Sequence, residues 1–245
     1  MSNNLEGLCI LNTRPMFAKA HQRFAELIES YGAKSVSLPL QDIQALDFTL
    51  PPIQTYDYLI FVSQAAVSYF FSKLTRKLPQ NSQIIAIGKA TAKALEMNHQ
   101  AVSFFAEEGH SEALLNASIF QNVQAKNILW VKGTHGRTLI GDTLKNRGAE
   151  VTALNVYQSI PIPYSPKALE ELWQTKDINM VLVTSEQAFL HLQSLCPPDW
   201  LSQKNIICFS QRLADIAKPF IKGHILMSQH DKILETLLAF KAKYE

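Results

Sequence analysis

Four turns of the sequence combine a small residue with an expected helix start, a pattern that could bind anions. Ser63, Gly88, Ser185 and Ser210 each follow an apolar run and precede a segment with helical periodicity. The first amide groups of a helix lack intrahelical partners and lie at the positive end of the helix dipole, so they can hold carboxylates. A serine at this position is also an ordinary N-cap, and both interpretations stay open.

Basic residues near these turns could add positive charge. Arg14 follows the first apolar run, Lys89 follows the glycine turn, and Lys132 and Arg137 flank a turn that contains Gly133. An arginine in such a loop can bind a carboxylate through two parallel hydrogen bonds. Taken one at a time, the same residues could be solvated surface cations.

Other common forms of active-site chemistry lack their motifs here. The sequence contains no G-x-G-x-x-G, G-x-x-x-x-G-K-[ST], H-E-x-x-H, paired C-x-x-C or G-x-S-x-G pattern. Its 7 histidines are scattered, without a ligand-like pair on one expected helix face. We therefore expect neither a metal site nor a bound cofactor.

The composition indicates a globular protein of the cytoplasm. The 245 residues are 47% hydrophobic and 18% charged with only 9 glycines, which excludes collagen-like, low-complexity and disordered chains. A formal net charge of +2 provides no general attraction to nucleic acid. No apolar run reaches the ~18 residues of a membrane span, and the first residues lack signal-peptide features. We expect Cys9, Cys196 and Cys208 to be reduced thiols. We expect no nucleic-acid or membrane partner.

Short apolar runs alternate with segments of helical periodicity along the chain. This alternation predicts an α/β fold in which parallel sheets are flanked by helices. The runs that read as strands are Leu8–Leu11, Tyr58–Val62, Ile84–Ile87, Ala101–Phe105, Ile128–Val131, Met180–Val183, Ile206–Phe209 and Ile225–Met227.

Parts of the sequence recur within the chain. The turn at Ser63 resembles that at Ser185, and the turn at Gly88 aligns with that at Ser210, both at a distance of 122 residues. A third match, between two Gly-Ala turns, is offset by 116 residues. These repeats predict two similar α/β domains.

We expect one of these domains to be inserted into the other. Each Gly-Ala turn precedes a candidate strand, and strands near 35–41 and 151–160 would connect the domains. The first domain would comprise residues 1–38 and 162–245, and the inserted domain residues 42–155. A Pro-rich stretch after the second strand favours a boundary there. A ligand would lie in the cleft between the domains.

Together these motifs resemble those of the uroporphyrinogen-III synthase family. The resemblance covers nearly the whole chain and depends on the order and spacing of motifs that are individually weak. It implies two α/β domains joined by a two-stranded β-connection, with the substrate between them. The matching motifs are Asn12–Pro15, Phe61–Val67, Ile87–Leu95, Ser111–Leu115, Gly136–Leu139, Gly148-Ala149 and Val156–Gln158.

The resemblance implies a cofactor-independent lyase of porphyrin and heme biosynthesis. Such an enzyme cyclises the linear tetrapyrrole hydroxymethylbilane, with loss of water and inversion of the last pyrrole ring through a spiro intermediate. The protein would bind this small molecule as a monomer and contact the preceding pathway enzyme transiently. A flexible substrate that must be held in one attack geometry suits domain closure.

The resemblance also assigns roles to individual residues. Tyr157 matches a tyrosine thought to lie near the leaving hydroxyl, and Thr91 matches a threonine that could hold a carboxylate. Each has a structural alternative: a tyrosine packed on a connecting strand, and a threonine bonded to its own helix. The expected substrate-binding residues are Arg14, Ser63, Gln64, Gly88, Lys89, Thr91, Lys132, Gly133, Arg137, Ser185, Glu186, Ser210 and Gln211.

The sequence departs from the family pattern at two of the turns. Gln64 follows the first serine where the family usually has Asn, and the turn of residues 210–214 lacks the expected threonine. Arg212 could supply a compensating cation there. The departures motivate an alternative, a non-catalytic tetrapyrrole-binding or regulatory relative. A two-domain transferase that uses an activated nucleotide is a third possibility, disfavoured by the missing phosphate motif.

Overall fold

A computed structural model describes residues 4–75, 78–175 and 177–244. Parallel sheets flanked by helices run through these ranges, which confirms the α/β class. The strands are β1 Cys9–Asn12, β2 Lys34–Ser37, β3 Gln41–Ala45, β4 Tyr58–Phe61, β5 Gln83–Ala86, β6 Phe104–Phe105, β7 Asn127–Gly133, β8 Glu150–Pro161, β9 Met180–Leu182, β10 Asn205–Cys208 and β11 Ile225–Met227. The helices are α1 Ala20–Glu29, α2 Gln64–Lys73, α3 Lys89–Met97, α4 Ser111–Asn116, α5 Leu139–Asn146, α6 Pro166–Thr175, α7 Glu186–Leu195, α8 Pro198–Ser202, α9 Gln211–Ala217 and α10 Ile233–Tyr244.

The chain divides into two compact units. Unit 1 contains the described residues up to Asp42 and from Ile160 onward, and unit 2 is Ile43–Ser159. The sheet of unit 1 has the order β11-β10-β9-β1-β2, and the other sheet has the order β6-β5-β4-β7-β8-β3. Apart from β3, the second order repeats the first strand for strand when β9 is matched with β4 and β1 with β7. Strands β3 and β8, which are neighbours, each continue across a unit boundary.

Alternating side chains of the central strands supply the core on both sides of each sheet. In β1, Cys9 and Leu11 join one hydrophobic cluster and Ile10 joins another. In β4, Leu59 and Phe61 face one side and Ile60 the other. This two-residue period is the pattern of a strand covered on both faces, as parallel sheets require.

The connecting strand expected near 35–41 is divided in two. Strand β2 ends at Ser37 and is paired in parallel with β1, whereas β3 begins at Gln41 and lies beside β8. Pro39 lies between them and has no amide hydrogen to continue a ladder. The strand that crosses out of unit 1 therefore starts later than the sequence suggested.

The run Ala101–Phe105 also forms a shorter strand than expected. Ser103 donates its backbone N–H to Ile84 O at 2.8 Å, while its Oγ accepts the Ile84 N–H at 3.2 Å. The hydroxyl takes the place of a backbone carbonyl, so the regular ladder of β6 begins at Phe104. None of the helices in the described ranges combines the length and apolar character needed to cross a membrane.

Candidate functional site

Each sheet has one point between two adjacent central strands from which the chain continues to opposite sides of the sheet. In unit 1 this position lies between β1 and β9, and in unit 2 between β4 and β7. Ligands of open parallel sheets bind beyond the carboxyl ends of the strands at such a switch point. Arg14 and Ser185 follow the two strands in unit 1, and Ser63 and Gly133 lie at the ends of the two in unit 2.

The three candidate serines all cap helices. Ser63, Ser185 and Ser210 precede α2, α7 and α9 in extended conformations, as N-cap residues do. Each hydroxyl oxygen accepts one orphan amide of its helix. The donors are Ala66 N at 3.0 Å, Ala188 N at 3.1 Å and Leu213 N at 3.3 Å.

Ser63 differs from the other two because it also contacts Tyr157. Its Oγ donates to the phenolic Oη of Tyr157 at 3.1 Å while accepting the Ala66 amide. A serine hydroxyl has a single proton, and here that proton is directed at the phenol. The O–H of Tyr157 is consequently left to donate elsewhere.

Gly133 provides the surface on which the Tyr157 ring lies. A Cβ atom at Gly133 would be 2.7 Å from both Cε2 and Cζ of that ring. The two residues are paired across β7 and β8, just after a register shift between Lys132 and Gly133. Thr134 N donates to Tyr157 O at 2.9 Å and fixes the backbone beside the shift. Gly133 thus positions the tyrosine through the absence of its own side chain.

The environment of Tyr157 keeps its phenol protonated. Burial raises the pKa of Tyr157 above the usual tyrosine value, and the hydrogen bond from Ser63 offsets part of that rise. Tyr69 lies beside it, with ring centroids 6.4 Å apart. A phenol of this kind donates a hydrogen bond at neutral pH and does not act there as a phenolate base.

Arg14 is the cation at the switch point of unit 1. Its Cζ lies 5.0 Å from the centroid of the Phe24 ring and 5.4 Å from that of Phe209. The buried atoms Nε and Nη2 have no hydrogen-bond partner among the described residues. Burial lowers the pKa of Arg14 to about 10, a value at which the side chain stays charged at neutral pH.

Lys132 is a buried cation at the end of β7. The residue is 8% exposed, and its Nζ lies 5.0 Å from the centroid of the Trp130 ring. Burial lowers the pKa of Lys132 from its usual value. Within the described ranges no carboxylate forms an ion pair with this ammonium group.

Two other predicted cations have different surroundings. Arg137 is exposed and forms an ion pair with Glu112, which also lies 3.4 Å from His110 Nδ1. Because a carboxylate already faces the guanidinium, an external anion would have to compete with it. Lys89 is exposed at the first position of α3 and has the surroundings of a solvated cation.

The turn of residues 210–214 in unit 1 contains an ion pair of its own. Arg212 donates to Glu186 at 2.5 Å, so the proposed compensating cation is already paired. Gln211 is exposed and donates to Asp215 at 2.8 Å. Glu186, Arg212 and Gln211 therefore already have side-chain partners within unit 1.

The remaining candidates lie at the helix starts of unit 2. Gly88 is needed for packing, because a Cβ there would be 2.6 Å from the Cα of Gly109. Thr91 is 4% exposed, and its N–H donates to Gly88 O at 3.0 Å within the first turn of α3. Gln64 is the first residue of α2 and is partly exposed.

The residues that surround Arg14 are not among those predicted from the sequence. Phe209 and His230 stack with their ring centroids 3.9 Å apart, next to the guanidinium. Phe209 precedes a candidate turn, which was a usable signal, whereas no motif marked His230. No group of three or more His, Cys, Asp or Glu side chains within the described ranges could hold a metal ion.

Comparison with known proteins identifies the family. Residues 22–233 match the family model described as uroporphyrinogen-III synthase HemD. The chain is 34% identical to the uroporphyrinogen-III synthase of Escherichia coli K12 over 86% of its length and 91% of that protein. It is 30% identical to the Salmonella typhimurium protein of the same name, again over 86% of this chain and 91% of the relative.

A solved structure shows the same fold. The uroporphyrinogen-III synthetase of Helicobacter pylori superposes with a TM-score of 0.67 at 17% identity, covering 97% of this chain and 99% of the other. At 17% identity the superposition establishes only the fold, and membership of the family is established by the family model and the sequence relatives. The chain belongs to the uroporphyrinogen-III synthase family.

Proposed function

We propose that this protein cyclises hydroxymethylbilane to uroporphyrinogen III, with Tyr157 as the group that assists departure of the terminal hydroxyl. The reaction eliminates water and joins the two ends of the chain with inversion of the last pyrrole ring. The observation that carries the assignment of Tyr157 is the hydrogen bond from Ser63, which leaves the phenolic proton free to be donated. The position of the substrate between the two units stays a prediction from the family resemblance.

The chemistry required of Tyr157 is modest and fits its surroundings. Hydroxide is a poor leaving group, and a hydrogen bond from a neutral phenol stabilises the charge that develops on the departing oxygen. The raised pKa keeps the proton on Tyr157 until that charge appears. The Gly133 backbone and the Ser63 hydroxyl fix the ring, so little reorganisation is needed during the step.

Binding of the substrate calls for groups that hold its acetate and propionate side chains. The helix starts at Ser63, Gly88, Ser185 and Ser210 offer backbone amides, and Arg14 and Lys132 offer positive charge. We retain the other predicted binding residues as candidates of the same proposal, although Arg137 and Glu186 have partners of their own. The enzyme would act as a monomer in the cytoplasm after a transient encounter with the preceding enzyme.

The alternative of a non-catalytic relative is not favoured. Proteins named as synthases match this chain at 34% and 30% identity over most of their length. The tyrosine expected near the leaving group is present, and a hydroxyl group orients it.

An isomer-ratio assay tests the proposal. Hydroxymethylbilane is generated by the preceding enzyme, the purified protein is added without metal or nucleotide, and the products are oxidised and separated as porphyrin isomers. We expect the inverted isomer to replace the uninverted one that forms without enzyme. An unchanged isomer ratio would contradict the proposed activity.

Tyr157→Phe tests the role of the phenol in the same assay. The variant keeps the ring that packs on Gly133 and removes only the hydroxyl, so we expect kcat to fall ~100-fold or more with a smaller change in KM. Tyr69→Phe is the matched control, because it removes the hydroxyl of the neighbouring ring, which instead donates to Ile43 O. Wild-type turnover by Tyr157→Phe would remove the acid role.

A further inference from the structure

Arg14, which is partly buried, and Lys132, which is buried, occupy equivalent positions in the two units. Strand β1 pairs with β2 so that Cys9 lies opposite Lys34, and β7 pairs with β8 so that Asn127 lies opposite Glu150. Both second strands follow a Gly-Ala turn, which aligns the registers of the two units. Cys9 and Asn127 are 118 residues apart, and so are Arg14 and Lys132. The repeat therefore places a cation at the equivalent sequence position in each of the two units.

The surroundings of these two cations are also alike. Each lies at the carboxyl end of a strand at the switch point of its sheet. Arg14 lies against the rings of Phe24 and Phe209, and Lys132 lies against that of Trp130. Aromatic faces attract a cation and exclude water, but they leave its hydrogen-bond donors unused.

The free edge of Arg14 has the form that a carboxylate recognises. Nε and Nη2 lie on one edge of the guanidinium plane and donate in the same direction, and both are buried without a hydrogen-bond partner among the described residues. A carboxylate can accept from both through parallel bonds. Buried donors that stay unpaired cost free energy, so an acceptor at this edge would gain more than one at an exposed arginine.

From these observations we infer that Arg14 and Lys132 form a matched pair of carboxylate subsites, one in each unit, that hold two carboxylate side chains of the linear tetrapyrrole. The inference rests on the proposed function and selects two of the predicted cations as anchors. Arg137 is excluded from this role by Glu112, and Lys89 by its exposure to solvent. As anchors for carboxylate side chains, the two residues determine the affinity and the placement of the substrate.

Charge-removing variants test the pair. Arg14→Met and Lys132→Met should each raise KM for hydroxymethylbilane ~10- to 100-fold, the loss expected for a hydrogen-bonded charge pair, with a smaller change in kcat. The double variant should show the product of the two effects, because the subsites bind separate carboxylates. Arg14→Lys and Lys132→Arg keep the charge and should recover part of the affinity.

Matched controls remove a charge of the same type from an exposed position. Arg23→Met lies on α1 of unit 1 and Lys145→Met on α5 of unit 2, and both side chains are exposed. Their KM values should stay within ~2-fold of wild type, as is usual for surface substitutions. Thermal unfolding of all variants identifies any that lose affinity through loss of structure.

Calorimetric titration with uroporphyrin III, an oxidised and stable product analogue, provides a readout that needs no turnover. We expect weaker binding by Arg14→Met and Lys132→Met than by their controls. If wild type is active and either anchor variant matches its control in both KM and titration, the paired-subsite inference is overturned while the proposed function stands. If wild type is inactive, the proposed function fails, and the titration alone decides on the subsites.

Discussion

Ser63 Oγ donates to Tyr157 Oη over 3.1 Å, although the two residues are 94 positions apart in the chain. The same oxygen accepts the N–H of Ala66 and caps α2. One hydroxyl therefore links the start of a helix to the phenol that is proposed to assist catalysis. We therefore predict two separate effects of removing this hydroxyl, one on the stability of the protein and one on the pKa of Tyr157.

Ser63→Ala should raise the pKa of Tyr157, because the donated hydrogen bond lowers that pKa in the wild type. Loss of the cap should also reduce the free energy of unfolding by ~1 kcal/mol. Ultraviolet difference titration against Tyr157→Phe measures the pKa, and denaturant unfolding measures the stability.

Ser185→Ala is the matched control for this variant. It removes an equivalent cap in unit 1, where the hydroxyl accepts from Ala188 at 3.1 Å. It should lose a similar amount of stability and leave the Tyr157 titration unchanged. An identical Tyr157 titration in Ser63→Ala and Ser185→Ala would show that the Ser63 contact has no electrostatic effect.

Gly133→Ala should displace the Tyr157 ring, since the new Cβ would overlap Cε2 and Cζ at 2.7 Å. We expect a loss of ~1–3 kcal/mol in stability, as for other overpacked sites, together with a fall in kcat toward that of Tyr157→Phe. Gly141→Ala is the control, because its Cβ would meet the Trp130 ring at the same 2.7 Å without touching Tyr157. A variant Gly133→Ala with normal turnover would argue against a fixed phenol.

The pair Arg212–Glu186 should have little effect on substrate affinity as it stands. Both side chains are about half exposed, and exposed ion pairs contribute only ~0–1 kcal/mol. Arg212→Ala should therefore leave KM nearly unchanged, whereas Glu186→Gln frees the guanidinium and should lower KM for a polyanionic substrate. Steady-state kinetics at low ionic strength give the sharpest comparison. A large rise in KM for Arg212→Ala would restore this arginine as a compensating cation.

Arg14→Met should raise the pKa of His230. Burial lowers that pKa first, the nearby Arg14 cation lowers it further, and Asp231 acts in the opposite direction. Removing the cation removes one of the two lowering effects. Proton NMR titration of the histidine ring measures the change, and Arg23→Met should leave it where it is. A His230 titration that does not move would place the two groups too far apart to interact.

His230 should also make stability depend on pH. Because its pKa is lowered in the folded protein, the neutral ring favours folding above the ordinary histidine value of 6.5, and this contribution is lost as the pH falls below it. The unfolding free energy of wild type should decline more steeply below pH 6.5 than that of His230→Gln. Parallel denaturant curves at several pH values make the comparison, and equal slopes would contradict it.

The strands were predictable because their signal is local. Apolar runs such as Tyr58–Val62 and Ile206–Phe209 lie within a residue of the strands observed, since a strand covered on both faces must be continuously apolar. The limits of β2 and β3 were less accessible, because Leu38 and Leu40 extend the apolar pattern across Pro39, where the ladder stops.

The candidate site was predictable as a set of turns but not as a set of contacts. Ser63 and Tyr157 could be named from their motifs, yet their hydrogen bond depends on the pairing of β7 with β8. The partner of Arg212 lies 26 residues away on another helix, and nothing local indicates it. Side-chain pairing between distant segments is fixed by the tertiary fold, which short motifs do not encode.

The position of β1 in its sheet has a consequence for the order of folding during synthesis. Ile10 of β1 is paired with Met180 of β9, which is about 170 residues later in the chain. The strands that pair with β4 and β7, in contrast, all precede β9 in the chain. A ribosome therefore synthesises all of unit 2 before it makes β9, the strand that completes the centre of unit 1. The apolar face of β1 must stay protected for about 170 residues of elongation, which makes the first strand of the chain among the last to be enclosed.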